Sequence, residues 1–219
     1  MKVCNWKYAI FALCIFSSGC GSEAEKKFDA LCREQAGIWI YKTVQAEGFF
    51  NKKINCSERI NFLMSTNFKF IEYCNDSNLG SNPMREAGCW RLSKSSVEDP
   101  KCNQELTNYG IRGWRVINPN LPSNFCLSSE QIVAASAEYE YYMSEEKIYA
   151  SKDRDPQIYR NDWIIKRINS SAVLAKQTDF HLFRWNPVSG GYSSKSCENS
   201  TSNNSEIKLD ILTKVIISK

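Results

Sequence analysis

The chain has one histidine, His181, and no two of its ten cysteines stand in CxxC spacing. A zinc cage built from paired cysteines and histidines is therefore not indicated. Charge of one sign is also scarce: 28 basic residues face 24 acidic ones, for a net charge of +4, and no stretch concentrates Lys or Arg. That balance argues against nucleic acid as a partner. No apolar run reaches the ~20 residues a membrane-crossing helix needs. The sequence has no GxSxG elbow, no EF-hand spacing, no repeat of fixed length and no cofactor-binding motif, so no cofactor or metal is expected. Only six prolines are present, and Pro119 and Pro122 bar a central strand where they fall.

Against these absences stand 42% hydrophobic residues, including 11 Phe, 10 Tyr and 6 Trp. Such a composition excludes a disordered chain and suits one domain with its own core. The first twenty-one residues, MKVCNWKYAIFALCIFSSGCG, follow another logic. Lys2 and Lys7 give a basic start, Tyr8 to Phe16 is almost wholly apolar, and the small residues Ser17, Ser18 and Gly19 lead to Cys20. This is the order of an export signal. The stretch from Phe16 to Cys20 resembles the lipobox of bacterial lipoprotein signal peptides, although Ser17 stands where that class usually has Leu. The resemblance implies cleavage after Gly19 and lipidation of Cys20, with residues 20–27 as a tether and 28–219 as a single globular domain. It implies a cell-envelope location, anchored to the membrane by the lipid. Gly21, in place of an Asp, points to the outer rather than the inner membrane. The alternative is an ordinary secretory signal that leaves Cys20 free to pair.

Downstream lie Cys32, Cys56, Cys74, Cys89, Cys102, Cys126 and Cys197. In an exported chain such dispersed cysteines are disulfide candidates. Seven of them imply three bridges and a free thiol, whereas an unmodified Cys20 would make eight. The connectivity cannot be read from spacing. A local bridge from Cys89 to Cys102 is the preferred one, because Glu98-Asp99-Pro100 reads as a turn between them.

Along the chain, the spacing of Phe28, Leu31 and Cys32 predicts a helix over about Glu23 to Gln35, stopped by Gly37, and then a strand at Ile38 to Val44. A short helix at Ser57 to Met64 and strands at Asn67 to Tyr73, Cys89 to Leu92 and Ile111 to Ile117 follow, with turn-rich sequence over Ser93 to Asn108. Ser128 and Gln131 suggest a cap for a helix through Ala137. Tyr139 to Tyr149 reads as strand, Ser151 to Asp162 as a charged loop, and Trp163 to Trp185 as a β-hairpin around Asn169-Ser170-Ser171. Pro187 to Ser205 reads as a surface loop, and Ile207 to Ile217 as a terminal strand. The expected fold is α+β, a mainly antiparallel sheet with an N-terminal helix, braced by disulfides.

Chemistry is thinly marked. His181 on a strand would share a face with Asp179, Phe183 and Trp185, so His181 and Asp179 form a low-ranking catalytic dyad that lacks a nominated nucleophile. Asp153, Asp155 and Asp162 are interleaved with basic residues and read as solvated surface, and Glu138, Glu140, Glu145 and Glu146 read as the polar face of a strand. Trp90-Arg91, Trp114-Arg115 and Arg184-Trp185 would place three arginines in a stripe if each Trp were buried and the strands adjoined. Such a stripe suits an anionic envelope polymer or an envelope protein. The leading functional expectation is a non-enzymatic, lipid-anchored binding or structural module. An envelope hydrolase using His181 and Asp179 is the alternative, and an inhibitor or exclusion factor a third.

Overall fold

A computed structural model describes residues 22–52, 56–76, 86–113, 124–150, 156–197 and 211–218. The expected signal segment, Cys20 and the Trp114-Arg115 pair lie outside these residues. Among the described residues eleven strands and three helices occur, together with a helical segment at residues 211–215.

Helix α1 (Glu23–Gln35) begins with a reciprocal cap: the Ser22 hydroxyl accepts from the Glu25 N–H, and the Glu25 carboxylate accepts from the Ser22 N–H at 2.9 Å. Two donors that the helix start would leave unsatisfied are thereby used. Strands β1 (Gly37–Ile40), β2 (Val44–Ala46) and β3 (Gly48–Lys52) follow, then α2 (Cys56–Ser65), β4 (Phe70–Asn75) and β5 (Gly88–Ser96). Helix α3 (Gln104–Gly113) precedes β6 (Phe125–Ile132), β7 (Tyr139–Ala150), β8 (Gln157–Arg167), β9 (Val173–Asn186), β10 (Gly191–Ser196) and β11 (Ile216–Ser218).

Nine strands form one mixed sheet in the order β1-β9-β8-β7-β3-β4-β5-β6, with β10 on the same β9. The sheet is mainly antiparallel, but β3 runs parallel to both β4 and β7. A separate two-stranded sheet pairs β11 with β2 in parallel. The main core gathers α2, β3, β4, β7 and residues 211–216 around Phe49, Phe62, Tyr73 and Tyr141, all fully buried. A smaller core lies under α1, where Ala24 and Phe28 meet Ile158, Phe180 and Leu182.

Several expectations are corrected. The segment read as turns before a strand contains α3, because Asn103 caps a helix: its side-chain oxygen accepts the Leu106 N–H at 2.9 Å. Residues 111–113 are accordingly helical. The supposed helix after Ser128 is instead β6, paired residue by residue with β5. Ladder bonds and the burial of Cys126 and Leu127 outweigh a local capping signal there. The strand β8 starts at Gln157, inside the expected charged loop, and β10 occupies part of the expected loop after Pro187. A turn with Gly190 at φ 65° permits that return onto β9. Residues 211–215 form a helical turn before β11 rather than a continuous strand.

The cysteines pair as Cys32–Cys197, Cys74–Cys89 and Cys102–Cys126. The Cys89–Cys102 bridge is thus not formed. Cys74 and Cys89 stand directly opposite each other on β4 and β5, a juxtaposition made by strand register and not by the nearby turn. The side chain of Cys56 is not among those described.

Candidate functional site

The long strands β7, β8 and β9 extend beyond the main core. Alternation sends successive side chains to opposite faces. Ile158, Phe180 and Leu182 face α1 and the smaller core. Their neighbours Gln157, Tyr159, His181, Phe183 and Trp185 point the other way, and the register sets Tyr159 opposite His181 and Gln157 opposite Phe183. Strand β10 adds Tyr192 opposite Trp185 and Ser196 opposite His181. On this second face Trp185 and Tyr192 are 46% and 60% exposed among the described residues.

The expected dyad is brought together. His181 Nε2 lies 3.2 Å from Asp179 Oδ2, and the Asp179 side chain is fully buried. The other Asp179 oxygen accepts the Phe180 N–H at 2.7 Å, which fixes the carboxylate. On the far side of the ring, His181 Nδ1 is 3.0 Å from the Ser196 hydroxyl. Ser196 and Asp179 therefore flank the His181 ring, the hydroxyl in hydrogen-bond geometry with Nδ1 and the carboxylate as a close charge beside Nε2. This order is reversed relative to the familiar serine triad, where the acid holds Nδ1 and the serine faces Nε2.

Ser196 had no sequence signal, because it lies within the Ser-, Asn- and Gly-rich stretch from Pro187 to Ser205. Its position is set by neighbours. Cys197 is tied to Cys32 of α1, and Lys195 on the other side bonds Asp29 of α1 at 3.1 Å. The helix start is held to the same region, with Arg184 2.7 Å from Glu25. That guanidinium bond, with the Ser22 N–H, holds the Glu25 carboxyl below its ordinary range.

No protein-family model matches this chain, and no curated protein matches it in sequence. Beside the histidine chain is a cavity of about 350 Å³ lined by Glu145, Gln157, Tyr159, Phe183 and Tyr192. Tyr159 and Phe183 meet edge to face at 5.4 Å and 88°. Trp185 and Tyr192 do the same at 5.3 Å and 73°. The Tyr159 hydroxyl donates to Gln157 at 2.8 Å, which anchors the ring. Aromatic walls with a few placed polar groups are the usual make-up of small-ligand sites. The cluster was partly legible, since Phe183 and Trp185 share the histidine's face; Tyr159 and Tyr192 come from other strands.

The arginine stripe does not form from the residues described. Arg91 lies on β5 and Arg184 on β9, with β8, β7, β3 and β4 between them. Each is engaged by an acid, Arg91 by Glu72 at 2.6 Å and Arg184 by Glu25. The exposure of Trp185 also breaks the premise of a buried tryptophan. Asp162 lies within β8 rather than in a loop, bonded to Thr178, Arg160 and Lys176. Burial raises its proton affinity, but those three partners together hold the carboxyl below the usual range. Asp153 and Asp155 lie outside the described residues. Glu140, on β7, is buried and paired with Lys52 and Lys166.

Proposed function

We propose that this chain is a lipid-anchored bacterial envelope protein whose disulfide-braced sheet serves as a binding module. The exposed aromatic end of β8–β10 is its contact surface. The anchor reading rests on the export signal and on Cys20, and the outer membrane is its favoured site. The observation that carries the binding reading is the cavity walled by Tyr159, Phe183 and Tyr192 beside exposed Trp185. Large exposed aromatics gathered on one face mark interaction sites more often than chance surface. The partner is an envelope component.

Two measurements test this. Intact mass of membrane-extracted protein should show acyl groups on a chain beginning at Cys20. A Cys20→Ala variant should move to the aqueous phase of a detergent extraction. Separately, a Trp185→Ala/Tyr192→Ala variant should lose retention on isolated envelope fractions while its circular dichroism is unchanged. A protein without lipid that is retained equally well with and without these rings contradicts the proposal.

A second reading has its own observation, the 3.0 Å contact between Ser196 and His181. In it, His181 takes the Ser196 proton as the hydroxyl oxygen bonds to an acyl carbon. The bond from that carbon to its alcohol or amine leaving group breaks with the proton passed on from His181, and water then releases the acyl group. Buried Asp179 steadies the ring beside the opposite nitrogen. A fluorophosphonate probe should then label the wild type and fail on Ser196→Ala and His181→Ala. Absence of labelling in the wild type leaves the histidine chain a structural network.

A further inference from the structure

The cavity beside the histidine chain allows the ligand to be given a chemical class. The argument rests on the reading of this face as a binding surface, and not on the lipid anchor. We propose that the pocket formed by Tyr159, Phe183, Tyr192 and Glu145 binds a quaternary ammonium group of the trimethylammonium type.

Three of its five lining side chains are aromatic, and the charged one is a carboxylate. Aromatic rings present negative faces, and a nearby carboxylate reinforces that potential, so the lining complements a cation. The Tyr159 ring already has a cation beside it, the Lys147 ammonium 5.2 Å from its centroid. Lys147 stands opposite Tyr159 on β7 and is not part of the lining.

Ring orientation narrows the class. Tyr159 and Phe183 are perpendicular at 88°, and Tyr192 leans at 73° against Trp185, which lies outside the lining. Rings set at right angles present both face and edge to the space beside them, which suits a compact, rounded group better than a flat one. A quaternary ammonium carries no N–H and needs no directed acceptor. The lining suits that, because the Gln157 side-chain oxygen is already taken by the Tyr159 hydroxyl. A volume of about 350 Å³ is at the small end for ligand pockets and accommodates a choline-sized head. An anionic ligand is disfavoured because Glu145 would face it.

The test is calorimetric titration of the full, oxidised protein with choline and, in parallel, with 3,3-dimethylbutan-1-ol, its uncharged isostere. Choline should bind with a dissociation constant on the order of 1 mM, as expected for a partly exposed aromatic cage, and the isostere about tenfold more weakly. Tyr192→Ala should weaken choline about tenfold and Glu145→Gln about fivefold, while Lys147→Ala should tighten it by freeing the Tyr159 ring and removing a like charge. Phosphatidylcholine and phosphatidylglycerol vesicles identify the source. Choline-lipid binding with the same variant pattern indicates a headgroup, and binding of soluble choline alone indicates a free solute.

Equal binding of the isostere overturns the proposal, as does no choline binding up to about 20 mM, well above the range such cages span. If choline fails but Trp185→Ala/Tyr192→Ala still abolishes envelope retention, the ligand class falls and the binding surface stands. If retention is also unaffected, both fall.

Discussion

The bridge from Cys32 to Cys197 joins residues 165 apart in sequence, more than any other crosslink described, and it closes α1 over the end of β10. Its removal is the most informative single perturbation of the fold. Loop-closure entropy assigns about 5 kcal/mol to a loop of that length. The same relation gives about 3 kcal/mol for Cys74–Cys89, whose separation is 15, and slightly more for Cys102–Cys126, at 24. These figures are upper values, since the two inner bridges already shorten the free chain inside the long loop. Against a total stability of 5–15 kcal/mol for a typical domain, the loss is large. Cys32→Ala/Cys197→Ala should therefore cost ~1–2 kcal/mol more than Cys74→Ala/Cys89→Ala in urea unfolding at pH 7 without reductant. The loss should also be local first. Helix α1 is otherwise held by Ala24, Phe28 and exposed ion pairs, and such pairs are each worth under about 1 kcal/mol. Amide exchange in residues 23–35 should accelerate before that of β7 or β8. If removing the long bridge costs no more than removing Cys74–Cys89, or exchange in α1 is unchanged, the clamp reading is wrong.

Glu72 offers a second test. Its fully buried carboxylate accepts from Arg91 at 2.6 Å and 3.0 Å, from the Ser136 hydroxyl, and from the Ser136 and Ala137 N–H groups. Glu72→Gln puts an amide donor against these donors and should cost about 2–4 kcal/mol in urea unfolding. Burial by itself would raise this carboxyl, but Arg91, Ala137 and Ser136 outweigh it and hold it below the ordinary value. A folded carboxyl that is depressed adds stability above its unfolded pKa, near 4.3, and that contribution is lost as pH falls through the folded value. The wild type should therefore lose more stability than Glu72→Gln as pH falls below about 4.3; parallel curves would contradict the assignment. At Gly48, a Cβ would lie 2.3 Å from the Phe70 carbonyl oxygen in the adjoining parallel strand. Gly48→Ala should lower stability by about 1–3 kcal/mol through that clash, and an unchanged urea midpoint would show that the strands can part.

The elements legible in advance share a local cause. Helix α1 is signalled by Ser22, Glu25 and the spacing of Phe28 and Leu31, and β8–β9 by two apolar runs around Asn169-Ser170-Ser171. In both, the hydrogen bonds and the apolar face belong to residues close in the chain. The short helix α2 and the strand character of Tyr139 to Tyr149 were readable for the same reason. The misread elements were decided elsewhere. Strand β6 exists because β5 supplies its ladder, and β10 because β9 has a free edge.

The site divides along the same line. A two-residue period placed Asp179, His181, Phe183 and Trp185 on one face, which needs only the geometry of a strand. Strand pairing brought Ser196 opposite His181, and Tyr159 and Tyr192 to the same pocket wall, across separations that no local pattern encodes. Sequence alone determined an oxidised β-rich body and the face that His181 occupies. Tertiary structure alone decided which cysteines meet, which end of the sheet stays uncovered and which rings converge there, because each is a contact between segments whose register is set by the packed sheet.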